Sequence, residues 1–215
     1  MPLYALGESH WFPPVEDALE DGLLAMGGDL DPERLIKAYR KGIFPWFEDE
    51  MPLWWCPDPR FVLYPDELYI SKSMQQVIKR KTFTFKTNTA FAQVIQHCKA
   101  TPRMGQDGTW ITPEVETAYN KLHTLGIAHS AEAWLDGQLV GGLYGIKMGK
   151  VFFGESMFSH TSNASKYAFI QYVEQLKQEG IALIDCQVYT SHLESLGARM
   201  IPRKLFCSLL DELID

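Results

Sequence analysis

The 215-residue sequence has no Cys-x-x-Cys, no His-x-x-x-His or His-Glu-x-x-His, no Gly-x-Gly-x-x-Gly and no Walker phosphate loop. Its four cysteines, Cys56, Cys98, Cys186 and Cys207, are widely separated. Neither a zinc ribbon nor a small disulfide scaffold is expected, cysteine usage points to a reducing compartment, and no metal site is expected. Adjacent His97 and Cys98 read as a surface histidine beside a buried cysteine, because sequence neighbours diverge on a helix. No apolar run approaches the roughly 18 to 20 residues needed to span a bilayer. The N-terminus, Met1-Pro2-Leu3-Tyr4 and then Glu8, lacks the basic start and apolar core of a signal peptide. A soluble, unexported cytoplasmic protein with no membrane partner is expected. With 46% hydrophobic and 22% charged residues, the chain has the composition of a globular protein, which excludes disorder, collagen and coiled coil.

Two further absences concern charge. Residues 1–33 contain no base and eight acids (Glu8, Glu16, Asp17, Glu20, Asp21, Asp29, Asp31, Glu33), whereas residues 71–106 contain no acid and seven bases (Lys72, Lys79, Arg80, Lys81, Lys86, Lys99, Arg103). The formal net charge of −7 therefore averages an acidic start with a basic middle. A protein acidic overall is a poor candidate for nucleic acid, but a 36-residue block free of carboxylates is a candidate anion-binding patch. Its alternative reading is a solvated basic face that balances the acidic arm.

Punctuation residues divide the chain. The first thirty residues read as an extended arm with turns. Asp31, Pro32 and Glu33 signal a helix start and Gly42 its end. Gly42–Phe47 and Leu53–Arg60 place three tryptophans, Trp46, Trp54 and Trp55, within ten residues. Proline there argues against regular structure and the aromatics against a solvated linker, so the segment should pack on a partner. A module boundary is expected near residue 62, giving an aromatic-rich N-terminal module (1–62) and a larger domain (63–215). In the larger domain, helices are expected over 71–81, 89–99, from 112 to Gly126, and over 163–179. Strands are expected over 82–87, 128–135, 138–148, 151–157 and 181–188, with hairpin turns at Asp136-Gly137 and Gly149-Lys150. A short helix before Gly197 and another over 204–214 end the chain. The expected class is mixed α/β (α+β).

Two carboxylates interrupt apolar strands. In Ala182–Val188, alternation puts Asp185 and Gln187 on one face and Ile184 and Cys186 on the other. In Val151–Ser159, Glu155 follows Gly154, which would let a ligand or a backbone approach closely. An ionised group in such surroundings is costly unless it is paired or faces a cleft, so either a structural carboxylate or a shared site is implied. Three glycines in Gly141–Gly145 weaken a strand, for which a bulge or a substrate lying against the backbone would compensate.

The order of hairpin meander, long helix and carboxylate-bearing strand is similar to the GCN5-related (GNAT-like) acetyltransferase superfamily. Members that use coenzyme A usually carry an Arg/Gln-x-x-Gly-x-Gly/Ala turn before the long helix. Ser159–Lys166 contains no glycine, which favours another acyl donor. More specifically, Gly27–Leu30, Gly42–Phe47, Trp54–Arg60, Gly108–Thr112, Gly141–Gly145, Phe153–Ser159, Leu183–Gln187 and Ser195–Ala198 resemble the leucyl/phenylalanyl-tRNA–protein transferase family, in the same order and over nearly the whole chain.

That resemblance implies transfer of Leu or Phe, and less readily Met, from aminoacyl-tRNA to proteins with N-terminal Arg or Lys, marking them for N-end rule degradation. It implies Asp185, Gln187 and Glu155 as the catalytic group, and Leu143, Phe169, Tyr172, Leu176 and Ile184 as the aminoacyl side-chain pocket. It also implies Tyr39, Trp46, Trp110 and Tyr119 around the terminal adenosine of the tRNA. Lys72, Lys79, Arg80, Lys81 and Lys86 are the candidate contacts to the tRNA backbone. No cofactor is required, because an aminoacyl ester is already activated. The competing readings are an acyl-coenzyme A or cell-wall-peptide N-acyltransferase and a non-catalytic RNA-binding module.

Overall fold

Asp31 begins the first helix as its position predicts. Its carboxylate accepts the Glu33 backbone N–H at 2.9 Å, and Pro32 occupies the first helical position, where no N–H is needed. The computed structural model describes residues 3–48, 51–101 and 110–214. Arg103 of the basic block and Gly108-Thr109 of the Gly108–Thr112 motif lie outside the described residues.

The strands are β1 (Tyr4–Leu6), β2 (Leu23–Gly27), β3 (Phe44–Pro45), β4 (Leu53–Trp55), β5 (Arg60–Leu63), β6 (Thr84–Thr87), β7 (Ala128–Leu135), β8 (Gln138–Met148), β9 (Val151–Ser159), β10 (Leu183–Gln187) and β11 (Arg199–Ile201). The helices are α1 (Pro32–Arg40), α2 (Lys72–Lys79), α3 (Phe91–Ala100), α4 (Pro113–Thr124), α5 (Ala164–Gln178), α6 (Ser191–Glu194) and α7 (Arg203–Leu213). Two sheets form among the described residues: a small one in the order β1-β2-β4-β3 and a seven-stranded one in the order β11-β5-β10-β9-β8-β7-β6. The mixed α/β class expected from the sequence is observed.

The small sheet corrects the expectation of an irregular arm followed by an irregular aromatic segment. Its strands are two to five residues long, too short for alternation to be legible in sequence. Pro45 is tolerated because β3 is an edge strand. Tryptophan side chains tie the layer together: Trp54 Nε1 donates to Gly27 O at 2.9 Å and Trp55 Nε1 to Trp46 O at 2.6 Å. Arg34, fully buried on α1, donates to Asp29 at 3.0 Å and to the carbonyls of Gly7 at 2.8 Å and Ser9 at 3.0 Å. The acidic arm is thus folded onto the base that follows it.

The expected boundary at residue 62 falls inside β5, which pairs with β10 and β11 in the larger sheet, so the change of sheet precedes Arg60. Alternation along β9 sends Phe152 to one face of the larger sheet and Phe153 to the other. Phe152 packs in a core with α5, whereas Phe153 joins a core shared by α1, α3, α4, α7 and the small sheet. The N-terminal module therefore has no separate interior. Its α1 is a wall of the same core that backs β9.

Gly145 is required by close packing. A Cβ there would stand 2.1 Å from Phe153 O and 2.5 Å from the Phe152 ring. Gly141 likewise lets the start of α5 approach, since a Cβ would lie 2.6 Å from Ala164 Cβ. Of the two explanations expected for this glycine cluster, the bulge is observed, between Tyr144 and Gly145, and close approach of other parts of the protein takes the place of the substrate.

Candidate active site

The hairpin β8–β9 keeps one register from Met148↔Val151 to Gly145↔Gly154, and then Tyr144 faces Ser156. Glu155 is the extra residue of a β-bulge. The neighbouring strand is also bulged: in β10, Asp185 faces Val62 and Gln187 faces Phe61, leaving Cys186 unopposed. Gln187 has a φ of 62°, in the left-handed region that a glutamine seldom adopts. The parallel pairing of β9 with β10 runs from Leu183↔Val151 to Asp185↔Phe153. Both bulges lie at the end of that pairing, where they redirect side chains out of the ladder. The alternation expected from sequence holds for Ile184 and Cys186, which share the α5-side core.

The redirected side chains meet. Gln187 Nε2 donates to Glu155 Oε1 at 2.8 Å. From α1, Tyr39 OH donates to Oε1 at 2.7 Å, and from α4, Tyr119 OH donates to Oε2 at 2.9 Å. The two tyrosine hydroxyls also touch each other. Part of Glu155 remains open to a cavity, but protein surrounds its carboxylate. Burial pushes its pKa up from 4.5 to about 7, with the Tyr39 and Tyr119 hydrogen bonds opposing and the Asp185 charge adding to the rise. Both tyrosines are held well above the ordinary phenol pKa by burial and then by the Glu155 charge, so they remain donors.

Asp185 is fully buried and differently occupied. Arg60 Nε donates to its Oδ1 at 2.8 Å and Arg60 Nη2 to its Oδ2 at 2.6 Å, while the Gln187 backbone N–H donates to Oδ1 at 2.9 Å. The Arg60 guanidinium lies 4.7 Å from the Phe44 ring centre and 4.6 Å from that of Phe206. Burial works against its charge, but the Asp185 carboxylate more than compensates and its pKa lies above the ordinary value. Removing one partner of such a pair typically costs about 3–5 kcal/mol, because the other charge is left buried alone. Asp185 does not touch the Gln187 side chain, which bonds to Glu155 instead.

A cavity of about 390 Å³ opens beside this group, and Glu155, Asp185 and Gln187 all contribute to its lining. Of the expected pocket residues, Leu143, Phe169 and Ile184 line it, whereas Tyr172 and Leu176 do not. Those two share a helical face with Phe169, but at 1.5 Å per residue Leu176 lies roughly 10 Å further along the axis. Tyr172 instead packs edge-on to Phe152 at 5.1 Å. Sequence reasoning missed Met157, Thr190, His192 and Leu193, which also line the wall, and it missed Arg60, the partner of Asp185. The signal for Met157 was the hairpin register, but only with the bulge does it face Leu143. The signal for Arg60 was a cation opening the apolar run Phe61-Val62-Leu63.

The expected adenosine site is corrected in three of its members, which are buried. Tyr39 and Tyr119 are fully enclosed, so neither ring offers a face to a base, and their hydroxyls serve Glu155. Trp110 is also buried, and Trp46 is half-buried and tilted on Trp55 at 5.6 Å. Lys72, Lys79, Arg80, Lys81 and Lys86 are all exposed on α2, the turn after it and β6. None of the five forms an ion pair among the described residues, whereas Lys99 of the same block pairs with Glu116 at 3.2 Å. Among the described residues there is no cluster of three or more His, Cys, Asp or Glu suited to a metal ion, and no helix long and apolar enough to cross a membrane.

The sequence pattern of the family described as Leucyl/phenylalanyl-tRNA protein transferase matches residues 62–211, and that of its N-terminal domain matches residues 28–58. The chain belongs to this family. The leucyl/phenylalanyl-tRNA–protein transferase of Flavobacterium johnsoniae is 57% identical over 209 residues, covering 97% of this chain and 99% of that one. The one from Nitrosomonas eutropha is 56% identical over 207 residues, covering 95% and 88%. Similar solved structures include L-PGS from Bacillus licheniformis (TM-score 0.44, 13% identity, 78% of this chain and 54% of that one). A GCN5-related N-acetyltransferase-like protein from Streptococcus suis is a further structural neighbour (TM-score 0.40, 13% identity, 79% and 63%). Within the family chain, the motifs Gly42–Phe47, Trp54–Arg60, Phe153–Ser159 and Leu183–Gln187 converge on one place, since Phe44, Arg60, Glu155, Asp185 and Gln187 are linked through the contacts above.

Proposed function

We propose that the protein transfers Leu or Phe, and less readily Met, from aminoacyl-tRNA to the α-amine of proteins beginning with Arg or Lys, and that the product is marked for N-end rule degradation. The observation that carries this reading is the Gln187–Glu155 hydrogen bond at the bulged ends of adjacent strands, beside a largely apolar cavity, in a chain of this family. The cavity takes the aminoacyl side chain against Leu143, Phe169 and Ile184. Trp46, which alone of the four expected aromatics is not buried, serves the terminal adenosine, and the exposed bases of α2 and β6 meet the phosphate backbone. The aromatic-rich module (1–62) and the larger domain (63–215) both serve the reaction, the former through Tyr39.

The chemistry needs little base strength. An α-amine has an unperturbed pKa near ~7.7–8.0, so its deprotonation at pH 7 costs about 1 kcal/mol. The ammonium gives its first proton to water, and a carboxylate with a pKa of about 7 takes the second, from the attacking nitrogen as its bond to carbon forms, and returns it to the departing ribose oxygen. Because Gln187 Nε2 is committed to Glu155, its amide oxygen is the atom left to accept from the attacking amine. Nitrogen bonds to the ester carbon, the carbon–oxygen bond to ribose breaks, and the tRNA leaves with a free hydroxyl. Positioning in this arrangement does more than acid–base strength.

The test is to incubate the protein with Phe-tRNA and a peptide beginning with Arg. A Phe-extended peptide is expected, and its absence with donor and acceptor intact overturns the reading.

A further inference from the structure

Arg60 touches no expected substrate position, yet it lies at the head of an unbroken chain of contacts to the reacting group. Its guanidinium grips both oxygens of Asp185, at 2.8 and 2.6 Å. Asp185 Oδ1 also accepts the Gln187 backbone N–H, at 2.9 Å, across a two-residue span. That contact falls on a residue with a φ of 62°, a conformation that persists only where its surroundings hold it. Gln187 in turn directs its side-chain amide to Glu155 at 2.8 Å.

Three parts of the fold fix the guanidinium itself. It comes from β5, and it is sandwiched between Phe44 of the small sheet and Phe206 of α7. Gly42, with a φ of 73°, lets α7 come close, since a Cβ there would lie 2.6 Å from the Phe206 ring. A lysine could supply the charge but not the two-pronged planar contact or the double ring sandwich.

We infer that Arg60 is a positioning residue for transfer, and that Asp185, neutralised by it, works as a backbone anchor for Gln187 rather than as a proton acceptor. This rests on the transfer activity proposed above. Wild-type turnover of Phe-tRNA with the Arg peptide checks that activity, so its failure is distinguishable from failure of the inference.

The experiment compares Arg60→Met with the double variant Arg60→Met/Asp185→Asn, measuring kcat and KM for Phe-tRNA and the peptide, with folding checked by circular dichroism. Arg60→Met leaves a lone buried carboxylate, and its kcat should fall about 100-fold, the scale of a small displacement at the site. The double variant removes both charges while the introduced amide keeps an oxygen for the Gln187 N–H, so its kcat should exceed that of Arg60→Met by about tenfold. If Arg60→Met does not fold, a folded and active double variant supports the same conclusion. Arg60→Lys is the second variant: kcat should drop about tenfold with KM for Phe-tRNA within about twofold of wild type, as loss of a planar bidentate contact predicts. Full activity in Arg60→Lys or Arg60→Met overturns the inference. So does a folded double variant no faster than Arg60→Met, because then the Asp185 charge itself is needed for the chemistry.

Discussion

Replacing Glu155 by Gln should stabilise the protein above neutral pH while abolishing transfer. Three contacts link the Tyr39 hydroxyl, the Tyr119 hydroxyl and the Glu155 carboxylate, but with Glu155 ionised only the two hydroxyl protons are present to fill them. A protonated carboxyl supplies the third, closing a ring in which Glu155 donates to Tyr119, Tyr119 to Tyr39, and Tyr39 back to Glu155. The amide of a glutamine can donate and accept at the same places without titrating.

Raising the Glu155 pKa from 4.5 to about 7 corresponds to about 3 kcal/mol, at 1.36 kcal/mol per tenfold change in proton affinity. The sign follows from the direction. A folded-state pKa above the unfolded one means that the stability contribution is complete below about pH 4.5 and is lost as pH rises to about 7. Part of Glu155 is open to the cavity, and solvent screening there reduces the figure to about 2 kcal/mol. Urea unfolding at pH 4.5 and pH 8 provides the measurement. Glu155→Gln should match wild type at pH 4.5 and exceed it by about 2 kcal/mol at pH 8. A variant no more stable than wild type at pH 8, or one with an equal gain at both values, would refute the proton count.

Three further expectations concern other parts of the molecule. Tyr39→Phe removes a donor that lowers the Glu155 pKa, so the acid limb of kcat/KM for transfer should move up by about one pH unit, with activity at pH 7 down about fivefold and little change at pH 9. The acceptor amine titrates alike in both proteins, so a limb that stays put or moves down contradicts the assigned hydrogen bond. Arg80→Glu with Lys81→Glu should raise KM for Phe-tRNA, preserve kcat and flatten the salt dependence of KM by a slope of about 1.5, the value for two lost phosphate contacts. An unchanged salt slope would make that exposed face a solvated one. Gly145→Ala should cost about 3 kcal/mol in urea unfolding, because the new methyl meets a backbone oxygen in a packed sheet; a cost near zero would mean that the hairpin yields easily.

How far sequence reasoning reached differs by residue for physical reasons. Asp31, Thr112, Gly126 and the hairpin turns act within a few residues of themselves, and the helices and strands they delimit formed as expected. Glu132 shows the limit. It too is a buried carboxylate in an apolar strand, but it accepts from the backbone N–H groups of Thr89 and Ala90, from Ser130 and from the Trp134 indole. Glu132 is thus fully occupied by the turn that leads into α3 and by its own strand, whereas Glu155 lines a cavity. Composition and alternation do not separate the two. Tyr39 and Tyr119 were singled out by resemblance, but their enclosure beneath Glu155 depends on α1 and α4 meeting over β9, contacts 36 and 116 residues apart in sequence.

The sequence by itself determined the family and the mixed α/β class and singled out Glu155, Asp185 and Gln187 as candidates, because eight motifs and the local signals for helices and turns need no knowledge of distant contacts. Tertiary structure decided how those residues are arranged and what each of them touches. Two bulges, one in each of two neighbouring strands, turn Glu155 and Gln187 toward each other, and a buried arginine neutralises Asp185. A carboxylate's proton affinity is set by what surrounds it within a few ångströms, and those surroundings come from parts of the chain that only folding brings together.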